Sequence, residues 1–243
     1  MDRLISGNAL TVETLEYAPG RMADVFGDPA LPTVMMWHGA QADARGSMRP
    51  LAERVAGHGL AVVVPDWDSH ADDRGRADLL QSVHFARGRS PNPDGLVLVG
   101  WSLGGVAAAG LTIHAGRLGL QLAHTVCLAG AFMVSEPFSG EHLPSDLSHY
   151  AERPPFTLLH GVADDVIPVE VSRDFAAALE QNAWPVEITE LPANHGSIAG
   201  ATYDRIADRY SAADDPETLA VAADVAARIA AAAPSSGVDL NSG

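Results

Sequence analysis

The chain has 243 residues, a formal net charge of −16 at pH 7 and an apolar content of 47%. This length suffices for one α/β domain with a sizeable core, and the acidic charge argues against nucleic acid or an anionic membrane as a partner. All fifteen basic residues are arginine, which excludes a Schiff-base lysine and the lysine of a P-loop. The single cysteine, Cys127, excludes an internal disulfide and a cysteine-based zinc cluster.

The N-terminal residues 1–8 lack the apolar segment of a secretory signal, and no stretch reaches 18 uninterrupted apolar residues. We therefore expect a cytoplasmic protein with no membrane partner. The ten histidines lack the spacing of metal ligands, so we expect neither a metal nor a cofactor. No feature of the sequence specifies an oligomeric state.

Strands and helices alternate along most of the chain. A β-branched stretch at 9–18 predicts a strand that ends at Pro19-Gly20, with an antiparallel partner at 21–27. Further strands, most of them continuous apolar runs, are predicted at 33–37, 60–64, 96–99, 124–129, 156–160 and 186–191. Helices are predicted at 47–57, 77–87, from the Gly-rich turn after 99 to about 115, at 170–181 and at 216–233.

This alternation predicts an α/β fold with a mostly parallel sheet of about eight strands and helices on both faces. It indicates a single domain at 1–233, followed by a flexible Pro/Ser/Gly-rich tail at 234–243. In such sheets the chemistry lies beyond the carboxyl ends of the strands. The polar residues that directly follow predicted strands are His38, Asp66, Ser102, the turn 163–165 and His195.

Gly100-Trp101-Ser102-Leu103-Gly104-Gly105 lies between an apolar strand and an alanine-rich helical stretch. A serine in a sharp strand-to-helix turn is the pattern of a nucleophile elbow, although a glycine-rich connection can also carry an incidental serine. A serine nucleophile needs a base, and that base needs an acid. His195 is the candidate base and Asp164 or Asp165 the candidate acid, in the chain order Ser, Asp, His that this kind of site requires.

Two motifs resemble those of the α/β-hydrolase superfamily. His160-Gly161-x-x-Asp164-x-x-Ile167-Pro168 is similar to the acid turn of that superfamily, which implies Asp164 as the acid. The elbow at Ser102 resembles that of dienelactone-hydrolase-like proteins and small bacterial carboxylesterases. Dienelactone hydrolases carry a cysteine where this chain has Ser102, a departure that favours a serine esterase.

The resemblance also implies an oxyanion hole, the pair of N–H donors that stabilises the negative charge formed during acyl transfer. One donor is the backbone N–H of Leu103, which follows the nucleophile. His38-Gly39-Ala40 resembles the His-Gly-x of the superfamily, which indicates Ala40 as the second donor and Gln41 as the next choice. His38 is expected to have a structural role in its loop, and His160 to support the acid turn.

Residues 130–155 are too few for a multi-helix cap, so we expect an open, shallow pocket with little or no cap. The expected pocket residues are Trp37, Trp101, Phe132, Met133 and Ile198, with Trp67 and Phe138 as further candidates. The resemblance implies a serine hydrolase that cleaves small carboxylic esters or lactones through an acyl-enzyme. A thioesterase or acyltransferase with the same triad is one alternative, and a non-catalytic ligand-binding protein on the same scaffold is another.

Overall fold

An eight-stranded, mostly parallel sheet forms the centre of the computed structural model, which describes residues 11–234. The predicted tail beyond Pro234 lies outside the described residues. The sheet strands are β1 (Val12–Ala18), β2 (Arg21–Phe26), β3 (Thr33–Trp37), β4 (Ala61–Pro65), β5 (Val97–Trp101), β6 (His124–Leu128), β7 (Phe156–Gly161) and β8 (Val186–Leu191). The helices are α1 (Arg49–Gly57), α2 (Arg76–Arg89), α3 (Leu103–His114), α4 (Val169–Gln181) and α5 (Pro216–Ala232).

The strand order is β1-β2-β4-β3-β5-β6-β7-β8. The pairs β1/β2 and β2/β4 are antiparallel, and the remaining neighbours in this sheet are parallel. All residues of β3, β4 and β5 are buried, as expected for central strands covered on both faces. This arrangement confirms the predicted fold class.

The helices cover both faces of the sheet, and β3 illustrates the division. Because successive side chains of a strand point to opposite faces, Val34 and Met36 pack with α1 and α5, while Met35 and Trp37 pack with α2 and α3. Helix α4 packs with α3 against the far end of the sheet. The sheet and the helix layers on its two faces hold the carboxyl ends of β3, β5, β7 and β8 along one edge of the sheet.

Residues 129–155, between β6 and β7, contain neither helix nor strand. A wholly buried carboxylate, Glu136, organises this segment by accepting hydrogen bonds from the N–H groups of Phe138 and Ser139. Burial alone raises the pKa of Glu136, but His114, Ser139 and these N–H groups hold it below its usual value. The segment is therefore a compact loop and not a helical cap.

A two-stranded hairpin, β9 (Ala201–Asp204) and β10 (Arg209–Ala212), follows His195 and was not predicted from the sequence. Each strand has only four residues and exposes most of them, so the hairpin lacks the apolar run or strict alternation of a strand in the main sheet. Tyr203 pairs directly with Tyr210 across the hairpin.

None of the helices in residues 11–234 combines the length and the apolar character needed to cross a membrane.

Candidate active site

Ser102 lies at the turn between β5 and α3, with φ 57° and ψ −117°. A positive φ is unfavourable for a residue with a side chain, and such strain persists only where the surroundings hold it. The Ser102 N–H donates to the Leu128 carbonyl, and the Ser102 carbonyl accepts from Ala131 N–H, both at 3.0 Å. A Cβ on Gly100 or Gly104 would overlap backbone oxygens, so both positions require glycine.

The acid turn after β7 directs one carboxylate at His195. Asp164 Oδ1 accepts the N–H groups of Val166 and Ile167 at 2.9 Å each, which fixes the side chain within its own turn. Asp164 Oδ2 accepts a 2.8 Å hydrogen bond from His195 Nδ1. Since Nδ1 carries the proton in this bond, Nε2 of a neutral His195 is free to accept one. The neighbouring Asp165 is exposed and lies outside this hydrogen-bond network.

His160 supports Asp164 from the core. Its Nε2 lies 2.9 Å from the Ile167 carbonyl and 3.4 Å from Asp164 Oδ2, and its Nδ1 lies 2.7 Å from Ser172 Oγ. Burial alone raises the pKa of Asp164, but hydrogen bonds from His160, His195 and Ile167 hold it far below its usual value. The carboxylate is therefore ionised near pH 7.

His38 fixes the loop between β3 and α1, which passes over the elbow. His38 Nε2 accepts the N–H groups of Ala44 and Trp67 at 3.3 Å each, so Nδ1 carries the proton and donates to the Gly39 carbonyl at 2.9 Å. Burial, the largest cause, lowers the pKa of His38 to about 4. His38 is thus a neutral structural residue near pH 7.

This loop passes close to Ser102. A Cβ built on Gly39 would lie 3.2 Å from Ser102 Cβ, so there is little room for a side chain between the loop and the serine. Leu103 is the first residue of α3, and its N–H therefore has no carbonyl partner within the helix. Ala40 lies beside Ser102 in the wall of the same cavity. Gln41 uses its side chain differently: its amide donates to the Tyr210 carbonyl at 3.2 Å and accepts the Tyr210 N–H.

Ser102 and His195 open into one cavity of about 210 Å³, here called the serine pocket. Its walls are the loop 39–44, Trp101, Val166, Tyr203, Asp208 and Tyr210. Among residues 11–234 no direct hydrogen bond joins Ser102 Oγ to His195 Nε2. Such bonds are often long in an enzyme without substrate and shorten when substrate binds.

Only one of the five expected pocket residues lines the serine pocket, and the other four lie elsewhere. Trp101 lines the serine pocket, and its indole N–H donates to the His195 carbonyl at 2.8 Å. Trp37 and Ile198 are corrections to the prediction, because both are fully buried in the core. Phe132 and Met133 line a different surface cavity of about 240 Å³, which does not include Ser102 or His195 in its lining. The further candidate Phe138 packs on Trp37 in the core.

Sequence reasoning missed the hairpin side chains that complete the serine pocket. Tyr203 and Tyr210 are two of the four tyrosines of the chain and lie within fifteen residues of His195 in the sequence. Asp204 and Asp208 bracket the turn between them, a composition typical of a hairpin loop. Tyrosines on either side of an aspartate-flanked turn, soon after a candidate base, are the signal that could have indicated this wall.

Comparison with solved structures gives long matches at low sequence identity. A protein from Klebsiella pneumoniae subsp. pneumoniae assigned as a dienelactone hydrolase aligns over 92% of this chain and 98% of its own, with a TM-score of 0.68 and 20% identity. Esterase 2 of Thermogutta terrifontis, phosphoramylated by tabun, aligns over 90% and 94%, with a TM-score of 0.63 and 18% identity. MGS-M1, an α/β-hydrolase enzyme from a Medee basin deep-sea metagenome library, aligns over 79% and 85%, with a TM-score of 0.59 and 16% identity.

The chain has the α/β-hydrolase fold. No family model and no curated protein matches the sequence. In this α/β-hydrolase fold, Ser102 follows β5, Asp164 follows β7 and His195 follows β8, at one edge of the sheet. The geometry therefore brings together a strained serine, an oriented imidazole and a buried carboxylate, a combination suited to nucleophilic acyl transfer.

Proposed function

We propose that this protein is a serine hydrolase that cleaves small carboxylic esters or lactones through an acyl-enzyme. The observation that supports this most directly is the 2.8 Å hydrogen bond between His195 Nδ1 and Asp164 Oδ2, beside the cavity that His195 shares with Ser102. Solved structures of the same fold include esterases, one of them phosphoramylated by tabun. We expect organophosphorus reagents to react with Ser102 in the same way.

In the first step, Ser102 Oγ forms a bond to the ester carbonyl carbon while its proton passes to His195 Nε2. Asp164 stabilises the resulting imidazolium and keeps it oriented. Negative charge develops on the carbonyl oxygen, and the backbone N–H groups of Leu103 and Ala40 are its proposed donors.

In the second step, the bond between the carbonyl carbon and the alcohol oxygen breaks, and that oxygen takes the proton from His195 Nε2. The acyl group remains on Ser102 Oγ. Water then attacks the acyl carbon as His195 accepts its proton, and collapse of this second intermediate releases the acid and returns the proton to Ser102. A thioesterase or acyltransferase would share the acyl-enzyme and differ in the leaving group or the acceptor.

A cavity of about 900 Å³ includes His195, Tyr203 and Tyr210 in its lining, but the two cavities that adjoin Ser102 and Leu103 are small and favour a short acyl group. The serine pocket has about 210 Å³, and a second cavity of about 360 Å³ adjoins Leu103, with Trp67, Val106, Val134 and Pro137 in its wall. A short acyl group fits beside Leu103, whereas a long chain would extend into solvent and gain little from burial. We therefore propose that short-chain esters are preferred.

The test compares hydrolysis of p-nitrophenyl acetate and p-nitrophenyl palmitate by the wild type, Ser102→Ala and Ser90→Ala. Ser90, in the turn that ends α2, is the matched control. We expect the wild type and Ser90→Ala to cleave the acetate and Ser102→Ala to lose at least about 10³-fold in kcat. Full activity of Ser102→Ala would overturn the assignment, and equal turnover of the two chain lengths would overturn the preference for short acyl groups.

A further inference from the structure

The hairpin β9–β10 forms the wall of the serine pocket on the side of His195. Tyr203 and Tyr210 both line the pocket, together with Trp101 of the elbow. The Tyr210 ring lies edge-on to Trp101, with centroids 5.0 Å apart and an interplanar angle of 86°, and the Tyr203 ring lies 5.0 Å from that of Tyr210. The three rings are called the aromatic wall below.

The proposed chemistry determines which part of an ester faces this wall, so the inference rests on the proposed function. His195 Nε2 must reach the oxygen of the departing alcohol in order to protonate it. The alcohol part of the substrate therefore lies on the His195 side of Ser102. The rings of Trp101 and Tyr210 lie 5.5 Å and 5.9 Å from the His195 ring, so the alcohol part enters the space that the aromatic wall borders.

The aromatic wall is held in place before substrate binds. Gln41 bonds both the N–H and the carbonyl of Tyr210, and the Tyr203 hydroxyl donates to Asp208. The Trp101 indole N–H donates to the His195 carbonyl. A wall whose backbone at Tyr210 and side chains at Tyr203 and Trp101 are fixed in this way loses little conformational freedom when a ligand packs on it, which favours binding.

We propose that the aromatic wall selects esters whose alcohol part carries a single aromatic ring, such as benzyl esters. The cavity of about 210 Å³ is mostly apolar, and an apolar cavity of roughly 150 Å³ holds benzene in another protein. Offset or edge-to-face contacts with Trp101, Tyr203 and Tyr210 favour a planar ring over a saturated ring of similar size. Cleavage of such an ester releases benzyl alcohol, whose oxygen receives the proton from His195.

The experiment compares benzyl acetate with cyclohexylmethyl acetate, which has the same acyl group and a saturated ring of similar size. We expect the wild type to show a kcat/KM about tenfold higher for the benzyl ester. Tyr203→Phe keeps the ring and should keep this ratio, whereas Tyr203→Leu should bring it close to one. Tyr150→Leu, in the loop between β6 and β7, is the matched control and should leave the ratio unchanged.

A second measurement needs no variant. Benzyl alcohol and cyclohexylmethanol are compared as competitive inhibitors of the wild type, and we expect the inhibition constant of benzyl alcohol to be about tenfold lower. Equal kcat/KM values for the two esters, equal inhibition constants, or an unchanged ratio in Tyr203→Leu would overturn the proposal and leave the ester hydrolase assignment intact. If neither these esters nor p-nitrophenyl acetate is cleaved, the proposed function itself fails.

Discussion

At the scale of single residues, two adjacent aspartates show what the structure adds to a motif. The sequence places Asp164 and Asp165 in one turn, and a resemblance alone favours the first. The structure gives Asp164 a buried side chain with one oxygen bound to its own turn and the other to His195, while Asp165 faces solvent. The direction of each side chain in this turn depends on the backbone angles, and the sequence motif does not specify them.

Asp164→Asn tests this division of roles. An amide cannot stabilise the imidazolium as a carboxylate does, and its NH₂ group favours the wrong tautomer of His195, so we expect kcat to fall by about 10²–10⁴-fold. Steady-state kinetics with p-nitrophenyl acetate measures the loss. Asp165→Asn is the matched control and should stay within about twofold of the wild type. A larger loss in Asp165→Asn than in Asp164→Asn would contradict the account.

The buried, neutral His38 should make the free energy of unfolding depend on pH. Its pKa is about 4 in the folded protein and 6.5 without burial, so between these values the unfolded chain binds a proton that the folded chain does not. The free energy of unfolding therefore falls as the pH drops below about 6.5, and this contribution levels off below pH 4 at about 3 kcal/mol.

His38→Gln removes this titration. Urea denaturation of the wild type and the variant from pH 7 to pH 4 should show a smaller acid-induced loss of stability in the variant, even if the variant is less stable at pH 7. Parallel curves for the two proteins would mean that His38 does not remain neutral in the folded state.

At the scale of elements, the Gln41 side chain joins the hairpin β9–β10 to the loop that follows β3. The Gln41 amide satisfies both polar groups of the Tyr210 backbone, as a neighbouring strand would. Gln41 and Tyr210 are 169 residues apart in the chain. A contact across such a separation leaves no local pattern in the sequence, and for this reason the role of Gln41 could not be predicted.

Gln41→Leu should loosen this connection. The variant leaves the Tyr210 N–H and carbonyl without their partner, and each lost hydrogen bond is worth about 0.5–1.5 kcal/mol. We expect amide hydrogen exchange at Tyr210 to accelerate by about tenfold and kcat/KM for benzyl acetate to fall. Gln121→Leu, at an exposed position before β6, is the control. Unchanged exchange at Tyr210 would show that the hairpin does not depend on Gln41.

At the scale of the whole molecule, the sequence is most informative where local patterns and chain order suffice. Continuous apolar runs predict β3, β4 and β5, and the order of Ser102, Asp164 and His195 predicts which strand ends carry them. The residues that line the serine pocket were harder to predict from the sequence. Trp37 and Ile198 are apolar residues beside site motifs, but the alternation of side chains along a strand and the turn after His195 direct both into the core.

We propose that Ser102 is a nucleophile activated by His195, and its reactivity is the most direct test of the proposed function. A fluorophosphonate probe, followed by intact-mass measurement, tests it on the wild type, Ser102→Ala and His195→Ala. We expect one phosphonyl adduct on the wild type, none on Ser102→Ala and strongly slowed labelling of His195→Ala. A folded wild type that does not react, or a Ser102→Ala variant that reacts as fast as the wild type, would contradict it.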